Sequence, residues 1–273
     1  MKTLYISDLD GTLLDKNAEL SSFAEENLNR IIDNGLNFSI ATARTSASVL
    51  KILKNLKLKL PIVLMNGVTI YDIQNNKHIK NEYICKEALH NIIKIIKKIN
   101  INGFMYKIVN DELITYYQKL DTEALQDFYQ ERYEKYYKSF SQVDDFNEII
   151  DNSVVYFTFI GEKSSLDLLG QLVNEMPFIK FEYYKDNYTE NLWYLEIFSE
   201  NASKYNAVKY IRNLLKPEKT IGFGDNLNDI PFMEACDEFY AVSNAREELK
   251  NLSTAIIDSN ENDAVVKFLL NEN

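Results

Sequence analysis

The stretch Thr3-Leu4-Tyr5-Ile6-Ser7-Asp8-Leu9-Asp10-Gly11-Thr12 begins as an apolar run and ends in two carboxylates and a glycine. Such a run is typical of a buried strand in a parallel sheet. Asp8 and Asp10 stand two positions apart, so on an extended chain their side chains project to the same side. Two adjacent acids in an apolar setting repel each other unless a cation or a proton resolves the repulsion. Taken alone, the motif also fits an acidic turn that has no partner.

Strands and helices alternate after this first strand. We predict helices at 22–34 and 46–57, strands at 36–42 and 61–65, and a hairpin of 68–71 and 77–80. Ser22 and Glu25 have the spacing of a capping box at the start of the first helix. This alternation is the signature of a parallel sheet covered by helices.

Residues 82–190 differ in texture, because they are rich in Tyr and Phe and mix helices with alternating strands. From 192 the first texture returns, with predicted strands at 192–198, 220–225, 239–242 and 254–257 and helices at 203–215 and 228–236. We therefore predict an α/β fold. Residues 1–81 and 191–273 form a doubly wound parallel-sheet core, and 82–190 form an inserted α+β domain.

A second acidic motif, Gly224-Asp225-Asn226-Leu227-Asn228-Asp229, follows another predicted apolar strand. Open α/β sheets bind ligands beyond the carboxyl ends of their strands, where both motifs are expected to lie. Hard cations such as Mg²⁺ prefer oxygen ligands and take one or two carboxylates in such sites. A turn rich in Asp and Asn that caps the next helix is the structural alternative.

Two further positions suit an anionic ligand. Thr42, in Ala41-Thr42-Ala43-Arg44, offers a hydroxyl where a strand gives way to a helix, a place where backbone N–H groups also bind anions. Thr42 as a simple helix cap is an equal alternative. Lys204 lies at the start of a predicted helix, where its charge opposes the helix dipole. An anionic partner would remove that conflict, although a solvated lysine needs none.

Composition and charge limit the classes of partner. The chain has 273 residues and a formal net charge of −11, which argues against nucleic-acid binding. No apolar run approaches the roughly 20 residues of a membrane span, and the N-terminus lacks the features of a signal peptide. We expect a cytoplasmic protein without nucleic-acid or membrane partners, present as a monomer or weak homodimer.

Together these motifs resemble the haloacid dehalogenase superfamily, in particular its Cof-type phosphatases, over the whole chain. The order DLDGT, ATAR, an insert, Ser203-Lys204 and GDNLND carries the resemblance. Asn66-Gly67 and Ser243-Asn244-Ala245 also look like family positions. The resemblance implies a Mg²⁺-dependent phosphatase that hydrolyses small phosphate monoesters through an aspartyl-phosphate. It also implies that the insert is a cap domain that closes over the active site.

The resemblance assigns a role to each matching residue. Asp8 would be the nucleophile, Asp10 the general acid and base, and Lys204 would offset charge on Asp8 and the phosphoryl group. The groups expected near the phosphate are Thr42, Ala43, Arg44, Asn66 and Asn228. Those expected to bind or orient the metal are Asp8, the backbone carbonyl of Asp10, Asp225 and Asp229.

Three positions depart from the commoner family pattern. Ala43 and Ala264 stand where Gly is usual, and Tyr205 follows the lysine where a small residue is common. None of them removes a chemical group from the expected site. They bear instead on substrate clearance and on local turn geometry.

The insert bears on the choice of substrate. It carries 12 Lys and Arg against 19 Asp and Glu, so its net negative charge repels multiply anionic substrates. We expect a small metabolite with one phosphate and a neutral polar or aromatic remainder, such as a sugar phosphate or a phosphorylated cofactor. Two alternatives stay open: a phosphotransferase or phosphomutase with the same chemistry, and a non-catalytic ligand-binding protein on the same fold.

Overall fold

The computed structural model describes residues 2–186 and 189–272. They divide into two compact units. The parallel-sheet unit comprises the chain up to Lys80 and from Ser203 onward, and the antiparallel-sheet unit comprises Asn81–Ala202.

The strands of both units are, in chain order, β1 Thr3–Ser7, β2 Asn37–Ile40, β3 Ile62–Leu64, β4 Thr69–Asp72, β5 Lys77–Asn81, β6 Phe104–Val109, β7 Glu112–Tyr117, β8 Phe140–Gln142, β9 Val154–Gly161, β10 Ile179–Lys185, β11 Trp193–Ser199, β12 Lys219–Gly224, β13 Glu238–Val242 and β14 Ala255–Ile257. The helices are α1 Ser22–Asp33, α2 Ser46–Ile52, α3 Lys86–Ile99, α4 Glu123–Tyr136, α5 Lys163–Val173, α6 Lys204–Leu215, α7 Ile230–Glu234, α8 Glu247–Leu252 and α9 Ala264–Glu272.

A five-stranded parallel sheet forms the centre of the parallel-sheet unit, in the order β14-β13-β12-β1-β2. Strand β1 is central, with Ser7 level with Phe223 of β12 and with Ile40 of β2. The chain therefore leaves all three strands at the same edge of the sheet. This register brings the segments after Ser7, Ile40 and Phe223 together.

Helix α1 shows how sequence sets the local structure. Its inner face consists of the buried apolar residues Ala24, Leu28, Ile31 and Ile32, which recur at helical spacing. The N-cap is Ser21, whose hydroxyl accepts the N–H of Ala24 at 2.9 Å. The predicted capping box at Ser22 and Glu25 is therefore wrong, because Ser22 is already the first helical residue and Ser21 caps the helix through its own hydroxyl alone.

The predicted strand at 61–65 forms in a different sheet from the one expected. β3 pairs antiparallel with β4 in a three-stranded sheet of order β3-β4-β5. A single parallel bridge, Ala41 to Val63, links it to the end of β2. Strand β2 is therefore the edge strand of the parallel sheet, and among the described residues β3 pairs with it only through this one bridge.

The antiparallel-sheet unit is built on a six-stranded sheet of order β10-β11-β9-β6-β7-β8. All pairs are antiparallel except β7 with β8. Residues of α3 and α5, such as Leu89 and Leu166, share an apolar core with Phe157 and Leu195 on one face of this sheet. Helix α4 contacts strand β6 through the rings of Phe104 and Phe128, 4.7 Å apart.

The strand predicted at 192–198 within the core is corrected by this topology. β11 pairs antiparallel with both β9 and β10, so it belongs to the antiparallel-sheet unit. The sequence boundary at 190 falls too early, since the compact unit continues to Ala202.

The predicted fold class, a parallel-sheet α/β core with an additional α+β region, is confirmed. Within the described part of the chain, every helix is too short or too polar to cross a bilayer.

Candidate active site

Three aspartates meet at the carboxyl edge of the parallel sheet. Asp8 follows β1, Asp225 follows β12, and Asp229 ends the 3₁₀ turn Leu227–Asp229. One carboxylate oxygen of each lies within 4.8 Å of the others. The two acidic motifs, 217 positions apart in sequence, thus form one cluster, as the sequence analysis expected of strand ends in a parallel sheet.

Lys204 joins two of these aspartates. Its Nζ atom donates to Oδ1 of Asp8 at 2.7 Å and to Oδ1 of Asp229 at 2.6 Å, and its side chain is 1% exposed. Lys204 is the first residue of α6, after Ser203, whose hydroxyl accepts the N–H of Asn206 as the N-cap. The conflict with the helix dipole is therefore resolved by two carboxylates, and a solvated lysine is ruled out.

Burial dominates the electrostatics of the cluster. It raises the pKa of Asp8 well above the ordinary value, and Asp229 and Asp225 raise it further, while Lys204 opposes them. Burial and Asp229 raise the pKa of Asp225 to about 7. The pKa of Lys204 is raised against the effect of burial by Asp229 and Asp8. One ammonium thus does not neutralise three carboxylates, and the cluster favours a further positive charge.

The carboxylate of Asp229 orients the loop around it. Its Oδ2 accepts the N–H of Asp225 at 3.0 Å and that of Asn226 at 3.2 Å, while its Oδ1 accepts from Lys204. Both of its oxygens are therefore already engaged by this chain. Asp8 and Asp225 are the better direct ligands for a cation, and Asp229 holds Asp225 and Lys204 in place.

These donors fit Mg²⁺. The ligand atoms of the cluster are carboxylate oxygens. Burial and the neighbouring aspartates raise the pKa values of Asp8 and Asp225. Such an acidic cluster of oxygen donors suits a hard divalent cation, which takes one or two carboxylates and keeps other positions for water and phosphate.

Asp10 points to a different partner, because it forms a two-point ion pair with Arg44. Arg44 Nε donates to Oδ2 of Asp10 at 2.7 Å, and Nη2 donates to Oδ1 at 2.6 Å. The Asp10 side chain is 47% exposed, in contrast to the buried Asp8. Arg44 was expected near the phosphate, and the structure places it on the predicted general acid instead.

The other predicted phosphate-binding residues lie along the same sheet edge. Thr42 is fully buried and its Oγ1 accepts the N–H of Arg44 at 3.2 Å, while Ala43 between them is exposed. The Oδ1 atom of Asn66 accepts from Nδ2 of Asn228 at 3.3 Å. Asn66 is buried and left-handed, with φ of 53°. Neighbouring strand ends thus bring these residues together.

Two glycines permit close approaches in this site. A Cβ on Gly11, whose φ is +73°, would lie 2.4 Å from Oδ2 of Asp225. A Cβ on Gly67, whose φ is +95°, would lie 2.2 Å from the carbonyl oxygen of Ser203, just before Lys204. The backbone at Gly11 can therefore approach Asp225, and the backbone at Gly67 can approach Ser203, only because neither glycine carries a side chain.

Thr12 also contacts the cluster, which its sequence pattern did not predict. Its Oγ1 donates to Oδ1 of Asp225 at 3.4 Å. Its place next to Gly11 in the first acidic motif was the available signal. Asn244, noted only as a family position, donates from Nδ2 to the carbonyl oxygen of Gly11 at 2.8 Å and so supports the turn after Asp10.

Two of the three departures from the family pattern, Tyr205 and Ala264, fit their local structure. The hydroxyl of Tyr205 accepts from Nζ of Lys209 at 3.0 Å, one helical turn further along α6. Ala264 is buried at the start of α9 and is preceded by Asp263, which takes the left-handed conformation itself.

Comparison with known proteins decides the family. A family model described as haloacid dehalogenase-like hydrolase matches residues 5–269. The chain belongs to this family. The predicted resemblance to the haloacid dehalogenase superfamily and its Cof-type branch is confirmed, and so is the prediction of an enzyme.

Relatives of this haloacid dehalogenase-like hydrolase include phosphatases. Phosphatase YwpJ of Bacillus subtilis is 25% identical over 98% of this chain and 99% of its own length. The 5-amino-6-(5-phospho-D-ribitylamino)uracil phosphatase YwtE of the same organism is 25% identical over 98% of this chain and 97% of its own. The solved structure of a Thermotoga maritima protein has a TM-score of 0.81 at 25% identity, covering 99% of this chain and 97% of its own.

Proposed function

We propose that this protein is a Mg²⁺-dependent phosphatase that hydrolyses small phosphate monoesters through an aspartyl-phosphate on Asp8. The observation that carries the proposal is the ion pair of Lys204 with Asp8 inside the three-aspartate cluster. A buried lysine beside a buried carboxylate suits a reaction in which an anion attacks another anion. The phosphatase names of the relatives agree with this chemistry.

The roles follow from the contacts. Asp8 attacks phosphorus, and a carboxylate nucleophile divides hydrolysis into two easier steps. Lys204 offsets negative charge on Asp8 and on the phosphoryl oxygens. Asp8 and Asp225 would hold Mg²⁺ with the carbonyl of Asp10, and the bound ion would neutralise charge that develops on those oxygens. Thr42 and the N–H of Ala43 would bind the oxygens, with Asn66 and Asn228 beside them.

Asp10 is the proposed general acid and base. Its exposure leaves it accessible to the leaving oxygen and to the attacking water, whereas Asp8 is buried. A positioned acid and base of this kind contributes about 10²–10⁴-fold to the rate. The bidentate pair with Arg44 fixes the orientation of its carboxylate.

We propose a substrate with one phosphate and a neutral remainder, such as a sugar phosphate or a phosphorylated cofactor. The acidic insert supports this choice, because it disfavours multiply charged anions. YwtE is named for a substrate with a single phosphate on a ribityl chain, which agrees in class. A cytoplasmic location and a cap role for 82–190 stay predictions.

The test is Mg²⁺-dependent release of phosphate from a panel of monoesters. Wild type is compared with Asp8→Asn and with the surface control Asp33→Asn, whose carboxylate pairs with Lys57. We expect activity that requires Mg²⁺, is lost in Asp8→Asn and is kept in Asp33→Asn. Wild-type turnover by Asp8→Asn would exclude Asp8 as the nucleophile. Rapid acid quenching with ³²P-labelled substrate should leave label on the protein.

A further inference from the structure

A group of polar side chains in the antiparallel-sheet unit is not used by the proposed reaction. Met105, Phe157 and Leu195 face the apolar core shared with α3 and α5. Because side chains alternate along a strand, their neighbours Tyr106, Tyr156 and Glu196 face the other side of the sheet. We call this side the tyrosine face.

Glu196 is the acidic centre of the tyrosine face. Tyr156 donates its hydroxyl to Oε2 of Glu196 at 2.8 Å, and Tyr184 donates a second hydrogen bond. Burial raises the pKa of Glu196. A carboxylate has about four acceptor positions, so these two phenols leave some of them open for another donor.

Lys138 is the basic centre and lies just after the C-terminus of α4. It is 5% exposed, and its Nζ atom lies 4.2 Å from the ring centroid of Tyr106. The rings of Phe140 and Phe128 are 5.7 and 5.8 Å away. Over residues 2–186 and 189–272, no oxygen accepts a hydrogen bond from this ammonium and no carboxylate forms an ion pair with it.

A second buried polar atom of the tyrosine face also lacks a hydrogen-bond partner within the described residues. Thr115 is level with Tyr106 on one side and with Phe140 on the other, so all three share the tyrosine face. Its Oγ1 is buried and makes no hydrogen bond within the described residues. Buried polar groups nearly always form hydrogen bonds. The Lys138 ammonium and the Thr115 hydroxyl both lack one among the described residues of this face, so we infer that a ligand with oxygen atoms binds there.

Charge decides the class of that partner. On the tyrosine face Lys138 is buried and Glu196 is half-buried, and the two form no ion pair with each other within the described residues. Arg132 and Glu182 add one charge of each sign nearby. An anion would satisfy Lys138 and be repelled by Glu196, and a cation would do the reverse. A neutral hydroxyl both accepts from an ammonium and donates to a carboxylate.

We propose that Lys138 and Glu196 form a binding site for a neutral polyhydroxylated compound. Hydroxyls of the ligand accept from Lys138 and donate to Glu196, and the aromatic rings contact its C–H surfaces. The inference goes beyond the proposed function, because this binding requires no phosphoryl transfer.

The test uses the full chain and unphosphorylated probes, with binding measured by calorimetry or ligand-observed NMR. D-glucose and ribitol are the neutral probes, and D-glucuronate and D-glucosamine are the anionic and cationic counterparts. We expect saturable binding of a neutral probe and about tenfold weaker binding of both charged sugars. Absence of saturable binding by both neutral probes, or tightest binding of glucuronate, would overturn the proposal.

Two variants locate the site. Lys138→Met keeps the aliphatic stem and removes the donors, and Glu196→Gln keeps the shape and removes the charge. Each should weaken the binding of the neutral probe by about tenfold or more. Lys135→Met, on the exposed side of α4, should bind as wild type does. Unchanged binding in both site variants contradicts the assignment.

Thermal unfolding separates this role from a purely structural one. Removal of an unpartnered buried ammonium should raise the Tm of Lys138→Met. If Lys138 serves only to contact the aromatic rings, or an ordered water satisfies it, Lys138→Met lowers the Tm and wild type binds no neutral probe. Activity towards an aryl phosphate tests the proposed phosphatase separately, since it requires no polyol.

Discussion

Lys204 Nζ lies 2.7 Å from Oδ1 of Asp8, although 196 positions separate the two residues in the chain. The same atom lies 2.6 Å from Oδ1 of Asp229. The proposed nucleophile, its counter-ion and the residue that orients the loop thus form a single buried unit, and a change in any of them should affect the others.

Replacing Lys204 by Met should abolish most activity. The change leaves Asp8 and Asp229 buried without their shared cation, which typically costs about 3–5 kcal/mol of unfolding free energy. Loss of charge stabilisation should lower kcat by about 10²-fold or more. Phosphate release and urea unfolding measure the two effects. Lys209→Met, on the exposed side of α6, is the control, and near-wild-type kcat in Lys204→Met would show that another cation serves the reaction.

The stability of the metal-free protein should fall between pH 5.5 and pH 8. Asp225 has a pKa of about 7 in the folded protein against the ordinary value of 3.8, so the native state binds more protons than the unfolded chain in this range. The stability that protonation contributes is therefore complete at low pH and is lost as pH rises through about 7. At about 1.4 kcal/mol per pH unit, from pH 5.5 up to the folded pKa of about 7, the loss over this range is about 2 kcal/mol.

Mg²⁺ should remove most of that pH dependence, because the ion replaces the proton as the neutralising charge. Urea unfolding at both pH values, with EDTA or with Mg²⁺, measures this difference. The variant Asp225→Asn should show a flatter profile in EDTA. A metal-free protein that is more stable at pH 8 than at pH 5.5 would contradict the assignment.

Gly67→Ala should disrupt the site as well as the backbone. Its Cβ would lie 2.2 Å from the carbonyl oxygen of Ser203, so α6 and Lys204 must shift. Gly35→Ala is a matched control, since Gly35 has a similar φ of +100° but nothing within 4 Å of the new Cβ. Both should lose about 1–2 kcal/mol from backbone strain, and only Gly67→Ala should also lose kcat. Equal kcat in both variants would show that Lys204 tolerates the shift.

Arg44→Lys should slow the reaction without destabilising the protein. Lysine keeps the charge but cannot hold both oxygens of Asp10 in one plane, so the carboxylate loses its fixed orientation. Because the pair is partly exposed, its contribution to stability is about 0–1 kcal/mol. We expect kcat to fall by about tenfold and the Tm to stay within error. The control is Arg212→Lys, because Arg212 donates from Nη2 to both oxygens of Asp237 outside the site, and its kcat should be unchanged.

The sequence predicted the site better than the topology around it. Asp8 and Asp225 could be paired because each follows a strong apolar run, and parallel strands end at one edge. The strand at 193–199 was assigned to the wrong sheet, although its alternation of Trp193, Leu195 and Ile197 is typical of an antiparallel strand with one buried face. The local alternation of apolar residues indicates that a strand exists, whereas the strands it pairs with are decided by residues far away in the sequence.

The partner of Arg44 could not be predicted from sequence. The pair with Asp10 depends on the spacing between β1 and β2 and on the direction of a flexible side chain. Asp229 is similar, because its role as a hydrogen-bond acceptor for Asp225 and Asn226 follows from the exact path of one 3₁₀ turn. Short-range geometry of this kind has no periodic signal in the chain.

The central position of β1 sets an order of events during synthesis. Its pairing with β2 needs only residues up to Ile40, whereas its pairing with β12 waits until Lys219–Gly224 have left the ribosome. Asn81–Ala202 are complete before then and can fold first, as domains do during translation. Asp8 is therefore synthesised well before Lys204 and Asp225, so a nascent chain that stops short of α6 carries the proposed nucleophile without the groups proposed to activate it.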